Sequence, residues 1–184
     1  MRYFSDFNYG NVDWRNILQH KHWLILSSTT VLEGNSPSSA WGASMIFGEL
    51  EGTKTVMIVD MPKDNDKITE MWGQIVTRIR QIHILFFTKE ALNIISALEN
   101  ISTSSLLSDI RIKGLVPIVC SYDEISNIAK IAHSSGELSI QLECQLTYYS
   151  WLANFIFGLS STNSNKSEIR HAASYADNSK IAFN

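Results

Sequence analysis

The chain has 184 residues, of which 45% are hydrophobic and 18% charged, and its formal net charge is −3. This composition is typical of a globular protein with one core-forming domain, and the acidic balance argues against direct nucleic-acid binding. Two cysteines, Cys120 and Cys144, form no metal or disulfide motif, which fits a reducing compartment. The N-terminus lacks the features of a signal peptide, and no stretch is apolar enough to span a membrane. We therefore expect a cytoplasmic protein without membrane contact.

The first third of the chain predicts an arm followed by two strands. Residues 1–22 are rich in aromatic side chains and contain one short helix at about residues 12–19. The apolar segment WLILS, Trp23–Ser27, indicates a first strand. After a loop at residues 33–37, the segment AWGASMIFGEL, residues 40–50, predicts a second strand that turns at Gly52 into the next one.

The segment TVMIVDMP, residues 55–62, is an apolar run with one carboxylate, Asp60. A short apolar run rich in β-branched residues indicates a strand that is buried on both faces, at the centre of a parallel sheet. Asp60 would then lie at the carboxyl edge of the sheet, where open α/β folds place their functional sites.

The following segments predict alternating helices and strands. Apolar residues at helical spacing indicate a helix that ends near residue 80, and IHILFF indicates a strand that ends at Thr88. A second helix at residues 89–99 precedes the strand LVPIV, whose Pro117 favours an edge position. The segment SYDE resembles a capping box and predicts a third helix, which would end near residue 135. The alternation predicts an α/β protein with a doubly wound, mainly parallel sheet.

Residues 137–159 predict an extra C-terminal helix that is apolar on nearly every face. Such a helix needs cover on more than one side, and we expect it to pack on the domain and on a second copy of the chain. Burial within a single monomer is the alternative. The expected homodimer interface follows a heptad spacing of five residues, Leu142, Leu146, Tyr149, Ala153 and Ile156. The Ser- and Asn-rich residues 160–184 predict a linker or tail.

These segments together resemble the receiver domain of response regulators. Within that family they are similar to the degenerate receivers of LuxR/FixJ-type transcription factors that control biofilm matrix genes. The resemblance covers about residues 23–157 and depends on three segments, VMIVDMP, RIRQIHILFFT and IKGLVPIVCSYDEISNIAKIA. It implies a receiver, or flavodoxin-like, fold with Asp60 at the phospho-acceptor position and Thr88 at the switch hydroxyl. The corresponding division is an arm (1–22), a receiver-like domain (23–136), the extra helix (137–159) and the tail (160–184).

Several positions depart from the receiver pattern. Ser27 and Ser28 stand where receivers carry the acidic pair that holds Mg²⁺, and Ile118 stands near the position of the family's lysine. We therefore expect no phosphorylation, no metal ion and no catalytic residue. The segment GELSIQLECQL lacks the Trp and Arg with which related receivers bind cyclic di-GMP. No cofactor is expected, although cyclic di-GMP stays an alternative.

The resulting functional expectation is a non-enzymatic regulatory and dimerisation module of a transcription regulator. DNA binding would require a helix-turn-helix domain that this chain does not contain. One alternative is a phosphorylatable receiver that uses Asp60 with Asp64 or Asp66 as unusual metal ligands. Another is a stand-alone protein-binding α/β module. A domain similar to the antagonists of anti-sigma factors is weaker, because that fold needs a helix between the strand ending in GEL and the central strand, and residues 51–54 leave no room for it. A hydrolase that uses Asp60, His83 and Cys120 is weaker, because no nucleophile elbow accompanies these residues.

Overall fold

A computed structural model describes residues 9–160 and 166–177 of the chain. Within them the strands form one six-stranded sheet, and the strands lie side by side in chain order. The first four strands run parallel, whereas the last two join them as an antiparallel hairpin. The strands are β1 (Trp23–Ser27), β2 (Lys54–Val59), β3 (Ile84–Phe87), β4 (Ile118–Asp123), β5 (Ile128–His133) and β6 (Gly136–Gln141).

The described residues also include seven α-helices, which connect the strands or follow the sheet. The helices are α1 (Trp14–Leu18), α2 (Asn35–Leu50), α3 (Ile68–Thr77), α4 (Lys89–Leu98), α5 (Thr103–Gly114), α6 (Tyr148–Ser160) and α7 (Lys166–Ala173). Short 3-10 segments occur at Tyr9–Asn11, Ser28–Leu32, Asn65–Lys67 and Ile79–Gln81. None of the helices in the described residues is long and apolar enough to cross a membrane.

The sheet lies between two helical layers of different origin. The helices α2 to α5, which connect the parallel strands, all contribute to one core cluster with Met57 and Val59 of β2. The helices α6 and α7 form the opposite cluster with Val56 and Ile58 of the same strand. Connections between parallel strands share one handedness. When successive strands are added in one direction along the sheet, such connections place all their helices on the same face. Among the described helices, α6 and α7 are the ones that cover the opposite face.

The prediction of a mainly parallel α/β sheet is confirmed, but the receiver-like arrangement is wrong. A flavodoxin-like sheet has strand order 2-1-3-4-5 and carries helices on both faces. In this chain β1 pairs only with β2 among the strands of the sheet, so it lies at an edge. The sheet is not doubly wound, because its connecting helices lie on one face.

The local predictions for the first two parallel strands and for α3 and α4 are confirmed. Trp23–Ser27 forms β1 as expected, and every residue of β2 after Lys54 is buried. The helices α3 and α4 begin and end within a few residues of their predicted bounds, and both bury one apolar face. These segments have clear periodicities, because one face or both faces of each element meet the core.

The predicted strand at residues 40–50 is wrong, because the segment belongs to helix α2. Pro37 lies in the first turn of this helix, where a missing N–H is tolerated. Gly52, with φ 74°, ends the helix in a Schellman motif, in which the Thr53 N–H donates to the Gly48 carbonyl at 2.8 Å. The glycine that suggested a turn between strands is therefore a helix cap.

The predicted helix at residues 121–135 is wrong, because this segment forms the hairpin of β4 and β5. Instead of completing a capping box, the Asp123 side chain accepts the Ile125 N–H at 3.0 Å and closes a turn. Asn127 adopts a left-handed conformation with φ 52° just before β5. The edge position inferred from Pro117 is also wrong, because β4, which follows it, pairs on both sides.

The predicted single helix at residues 137–159 is wrong in its first half. Residues 136–141 form β6, in which Leu138 and Ile140 are buried and their neighbours are exposed. This period of two is typical of a half-buried strand and was present in the sequence. The boundary predicted between residues 136 and 137 therefore falls inside a strand.

The predicted tail, residues 160–184, contains a packed helix. Within it, α7 buries Ile169, Ala172 and Ala173 against the sheet-covering cluster. Residues 161–165 and 178–184 lie outside the described residues, as do residues 1–8 of the predicted arm. The described part of the predicted tail is thus an element of the core.

Candidate functional site

Three polar residues meet where three neighbouring strands end. Ser28 follows β1, Asp60 follows β2 and Thr88 follows β3. Ser28 and Thr88 are 0% and 2% exposed, so both hydroxyl groups are removed from bulk water. The Asp60 backbone N–H donates to Ser28 Oγ at 3.2 Å. The parallel register of the strands thus places Asp60 between two buried hydroxyl groups, one at its backbone N–H and the other at its carboxylate.

The Asp60 carboxylate is half-buried and has contacts through both oxygens. Its Oδ1 accepts the Met61 N–H at 2.8 Å and lies 3.3 Å from Thr88 Oγ1, which donates to it. Its Oδ2 lies 3.5 Å from the hydroxyl group of Tyr149. These contacts fix the orientation of the carboxyl group. Its Oδ2 lies on the side of Tyr149, which is an exposed residue.

Helix α6 carries Tyr149 to the site with its first turn. Thr147 caps the helix, because its Oγ1 accepts the Ser150 N–H at 3.2 Å. The Glu124 carboxylate, from the β4–β5 turn, accepts the Tyr148 N–H. A carboxylate at a helix N-terminus also interacts favourably with the helix dipole. The first turn of α6 is therefore held from two sides.

Two adjacent tyrosines border the carboxylate. The rings of Tyr148 and Tyr149 have centroids 4.2 Å apart and are tilted by 45°. Burial raises the pKa of Tyr148, the hydrogen bond with Tyr149 raises it further, and the negative charge of Asp60 adds to the effect. Tyr148 is therefore protonated and neutral at physiological pH. Tyr149, which is 51% exposed, presents its ring to solvent beside Asp60.

A surface pocket of about 370 Å³ opens beside this carboxylate. The pocket combines two lysines with three carboxylates, so it suits a polar ligand that carries hydroxyl or phosphate groups. The lining residues are Ser27, Thr29, Leu32, Glu33, Asp60, Met61, Pro62, Lys63, Asp64, Lys67 and Tyr149. Among the residues that the structure describes, no three His, Cys, Asp or Glu side chains form a group that could hold a metal ion.

The structure brings together Asp60 and Thr88, the two positions singled out in the sequence. It does not bring His83 or Cys120 to them. His83 precedes β3 at the opposite end of the sheet, where its Nδ1 accepts the Thr55 N–H at 3.2 Å. Cys120 is 0% exposed inside β4. The hydrolase alternative is therefore wrong, because its three residues do not share a site.

The residues of the expected dimer interface have different environments. Leu142 and Leu146 precede helix α6, so the five residues cannot form one helical seam. Leu142 and Ile156 are 2% and 7% exposed within the chain's own core, whereas Tyr149 and Ala153 are exposed. The expected heptad interface is wrong, because its residues do not lie on one exposed helix face. The homodimer itself stays a prediction. The same holds for the expectation about cyclic di-GMP.

Sequence reasoning missed four contributors to the site. Ser28 was interpreted only as a departure from the acidic pair of receivers, and no role was assigned to Lys63 or Lys67. The available signal was that Ser28 follows β1 and that both lysines lie in the segment after β2, since residues after parallel strands share one edge. Tyr149 was assigned to a dimer interface because nothing local connects it with Asp60, 89 residues earlier.

Comparison with known proteins identifies the fold. No protein-family model matches the chain, and no curated protein matches it by sequence. Solved structures do match. They include a PfkB protein from Polaromonas sp. JS666, with TM-score 0.73, 10% identity, and coverage of 92% of this chain and 56% of that one. Another is 2-dehydro-3-deoxygluconokinase from Thermotoga maritima, with TM-score 0.68, 13% identity, and coverage of 93% and 58%. A third is a putative ribokinase II from E. coli in complex with ATP and Mg²⁺, with TM-score 0.69, 11% identity, and coverage of 90% and 54%.

These similarities overturn the receiver interpretation. The chain resembles PfkB and ribokinase-type sugar kinases rather than response regulators, so the expected non-enzymatic regulatory module is wrong. The two alternatives, a phosphorylatable receiver and a stand-alone protein-binding module, do not fit these neighbours either. At 10–13% identity the likeness is one of fold. The chain spans about half the length of the solved structures that it matches, and over that span it has the fold of these sugar kinases.

Proposed function

We propose that this chain takes part in phosphoryl transfer to a hydroxyl group of a small, sugar-like substrate. The single observation that carries the proposal is the Asp60 carboxylate, which Thr88 and Tyr149 orient at the mouth of a polar pocket. The fold of the solved sugar kinases supports this assignment, since ATP and Mg²⁺ are bound in one of them and fructose and ADP in another.

In the proposed reaction Asp60 orients the substrate hydroxyl and accepts its proton. A bond forms between the substrate oxygen and the transferred phosphorus, while the bond from phosphorus to the leaving oxygen of the donor breaks. In kinases a carboxylate commonly takes the hydroxyl proton, and most of the catalysis comes from positioning and from compensation of charge. Thr88 and the Met61 N–H hold one carboxylate oxygen, which leaves the other to face the substrate.

The negative charge of a phosphate donor requires compensation in the pocket. Lys63 and Lys67 line the same pocket as Asp60 and are the cations that we assign to this role. Magnesium in kinases is usually held by one or two carboxylates together with phosphate oxygens. Asp64, which also lines the pocket, is the carboxylate that would hold a metal ion arriving with its phosphate, whereas no three-ligand group occurs in the described residues. Such an ion would supply further charge compensation.

The aromatic ring of Tyr149 provides the remaining feature of a sugar site. The ring is 51% exposed and lies beside a carboxylate that can accept hydrogen bonds from hydroxyl groups. A flat apolar surface next to polar acceptors matches a molecule with a hydroxylated edge and an apolar ring face. We therefore infer a polyol or sugar as the acceptor substrate.

The test is a coupled assay of ADP release by the purified chain, with MgATP and a panel that contains fructose and 2-dehydro-3-deoxygluconate. We expect release that depends on one sugar of the panel. Asp60→Asn should lower kcat by about 10²–10⁴-fold, because it removes a general base, and should change the KM for ATP little. The matched control is Asp66→Asn, which removes the same charge from an exposed residue that does not line the pocket.

The proposal fails if the folded wild-type chain neither binds MgATP nor releases ADP with any sugar at millimolar concentration. It also fails if Asp66→Asn lowers the rate as much as Asp60→Asn does. Calorimetric titration of each variant with MgATP separates loss of binding from loss of the chemical step.

A further inference from the structure

The C-terminal helix α7 is docked on α6 through specific contacts. The Trp151 indole N–H donates to the Ala173 carbonyl at 3.1 Å within the core. Gly158 lies so close to α7 that a Cβ atom on it would come within 2.8 Å of Ala172 Cα. Because the contact is close and directional, α7 holds one position on α6.

Asp177, just after α7, reaches the loop that precedes α6. Its Oδ2 accepts the Glu143 N–H at 3.1 Å, and its Oδ1 accepts the Cys144 N–H at 3.0 Å. Hydrogen bonds to an ionised carboxylate are about twice as strong as those between neutral groups. One side chain thus fixes two successive peptide groups that are 34 and 33 residues away in the sequence.

The loop in question, residues 142–147, leads from β6 directly into the capped first turn of α6. At its start the Leu142 N–H donates to the Asn127 carbonyl at 2.9 Å. Its end, Thr147, caps the helix whose second residue, Tyr149, contacts Asp60. The two peptide groups held by Asp177 lie between these points, so the loop is fixed along its length.

We propose that Asp177 is a positioning residue for the pocket beside Asp60. Its carboxylate fixes residues 143–144, and this loop sets the place of the first turn of α6 and therefore of Tyr149 against Asp60. The link with ligand binding rests on the proposed function, whereas the positioning of the loop and of the first helical turn does not. The segment that contains Asp177 thereby positions the wall of a pocket that it does not itself line.

The two cysteines of the chain provide a direct readout with an internal control. Cys144 lies in the loop and is 7% exposed, whereas Cys120 is 0% exposed in β4. Local opening of the loop exposes only Cys144 to a thiol reagent, but global unfolding exposes both. Burial also raises the pKa of Cys120, so this thiol is unreactive in the folded chain.

The experiment measures labelling by N-ethylmaleimide, followed by mass spectrometry, in wild type, Asp177→Asn and Asp177→Ala. We expect Cys144 labelling to accelerate by about tenfold or more in Asp177→Ala, since two bonds to a charged group are lost. Asp177→Asn keeps one acceptor oxygen and should give an intermediate rate. Asp109→Asn is the matched control, because its carboxylate pairs with Lys113 on the surface of α5, away from the loop.

Hydrogen exchange tests whether the effect reaches the pocket. Amides of residues 149–151 should exchange faster in Asp177→Ala than in wild type, with Asp177→Asn again intermediate and Asp109→Asn unchanged. Titration with MgATP should rank the variants in the same order by affinity, and the affinity of Asp177→Ala should be several-fold lower than that of wild type. If the wild-type chain binds no MgATP, the proposed function fails, and the labelling and exchange data still decide the positioning role.

Three results would overturn the proposal. Unchanged Cys144 labelling in Asp177→Ala would show that the carboxylate does not fix the loop. A parallel rise in Cys120 labelling would show a general loss of stability instead of local positioning. Faster exchange confined to residues 143–144, with residues 149–151 unchanged, would show that the loop does not set the first turn of α6.

Discussion

Gly158 of α6 meets Ala172 of α7 at a distance that leaves no room for a side chain, since an added Cβ atom would lie 2.8 Å from Ala172 Cα. We therefore predict that Gly158→Ala destabilises the fold by about 1–3 kcal/mol, the usual cost of overpacking a core. The measurement is the free energy of unfolding in urea, followed by circular dichroism.

Gly73 is the matched control for this substitution. It lies in helix α3, and a Cβ atom on it would have no neighbour within 4 Å. Gly73→Ala should stabilise the chain by about 0.5–1 kcal/mol, because alanine restricts the unfolded chain more than glycine does. Equal effects of the two substitutions would contradict close packing of α7 on α6.

The β4–β5 turn depends on a left-handed residue. Asn127 has φ 52°, and its Oδ1 accepts the Tyr122 hydroxyl at 3.2 Å. Asn127→Ala should cost about 1 kcal/mol or more, whereas Asn127→Gly should cost less, because both lose the hydrogen bond but only alanine strains the backbone. Urea unfolding of the two variants measures the difference, and equal costs would show that the conformation contributes little.

Because Lys89 and Asp123 form an ion pair, we predict that the stability of the fold depends on pH in the acidic range. The hydrogen bond from Lys89, 2.9 Å long, lowers the pKa of Asp123 to about 2. A carboxyl group with a lowered pKa in the folded state stabilises the fold above its unfolded pKa of about 3.9, and this contribution is lost as the pH falls towards 2.

Asp123→Asn tests this contribution, because it keeps an oxygen that can accept the Ile125 N–H but removes the charge. We expect a loss of less than about 1 kcal/mol at pH 7, as for other partly exposed ion pairs. The loss should vanish near pH 2, in thermal unfolding followed at several pH values. A difference that stays constant down to pH 2 would assign it to the turn instead of the ion pair.

We predict that His83 makes the stability of the fold depend on pH in a second range, closer to neutral pH. Burial lowers its pKa below 6.5, and the positive charge of Lys54 adds to this effect. The folded chain therefore favours the neutral imidazole, so stability is full above pH 6.5 and falls as the pH drops below that value. His83→Asn supplies an oxygen in place of the Nδ1 that accepts the Thr55 N–H, and should flatten the urea midpoint between pH 5 and 7. An unchanged slope would contradict this role for His83.

The elements that were predicted correctly have one clear periodicity. Strand β2 is apolar from Val56 to Val59 and buried on both faces, and α3 and α4 each present one apolar face. Helix α2 was missed because it buries small and large residues, among them Gly42, Ser44 and Met45, with no single apolar stripe. The β4–β5 hairpin was missed because its turn begins with a sequence that also caps helices.

The candidate site could be predicted only in part. Asp60 and Thr88 follow neighbouring parallel strands, so their proximity follows from the order of the elements. Tyr149 and Asp177 reach the region through the packing of α6 and α7, which depends on contacts such as that of Trp151 with Ala173. No local sequence signal records such contacts between distant segments.

The asymmetric cover of the sheet has a consequence for biosynthesis. One face acquires its helices between successive strands, but the other has Val56, Ile58 and Phe86 uncovered until residues 148–173 have been made. A nascent chain therefore carries an exposed apolar sheet face from the time its strands are made until α6 and α7 follow them, and such surfaces promote aggregation. Helices α6 and α7 complete the water-excluding shell on this face, so a chain that stops near residue 145 leaves the apolar face open to aggregation.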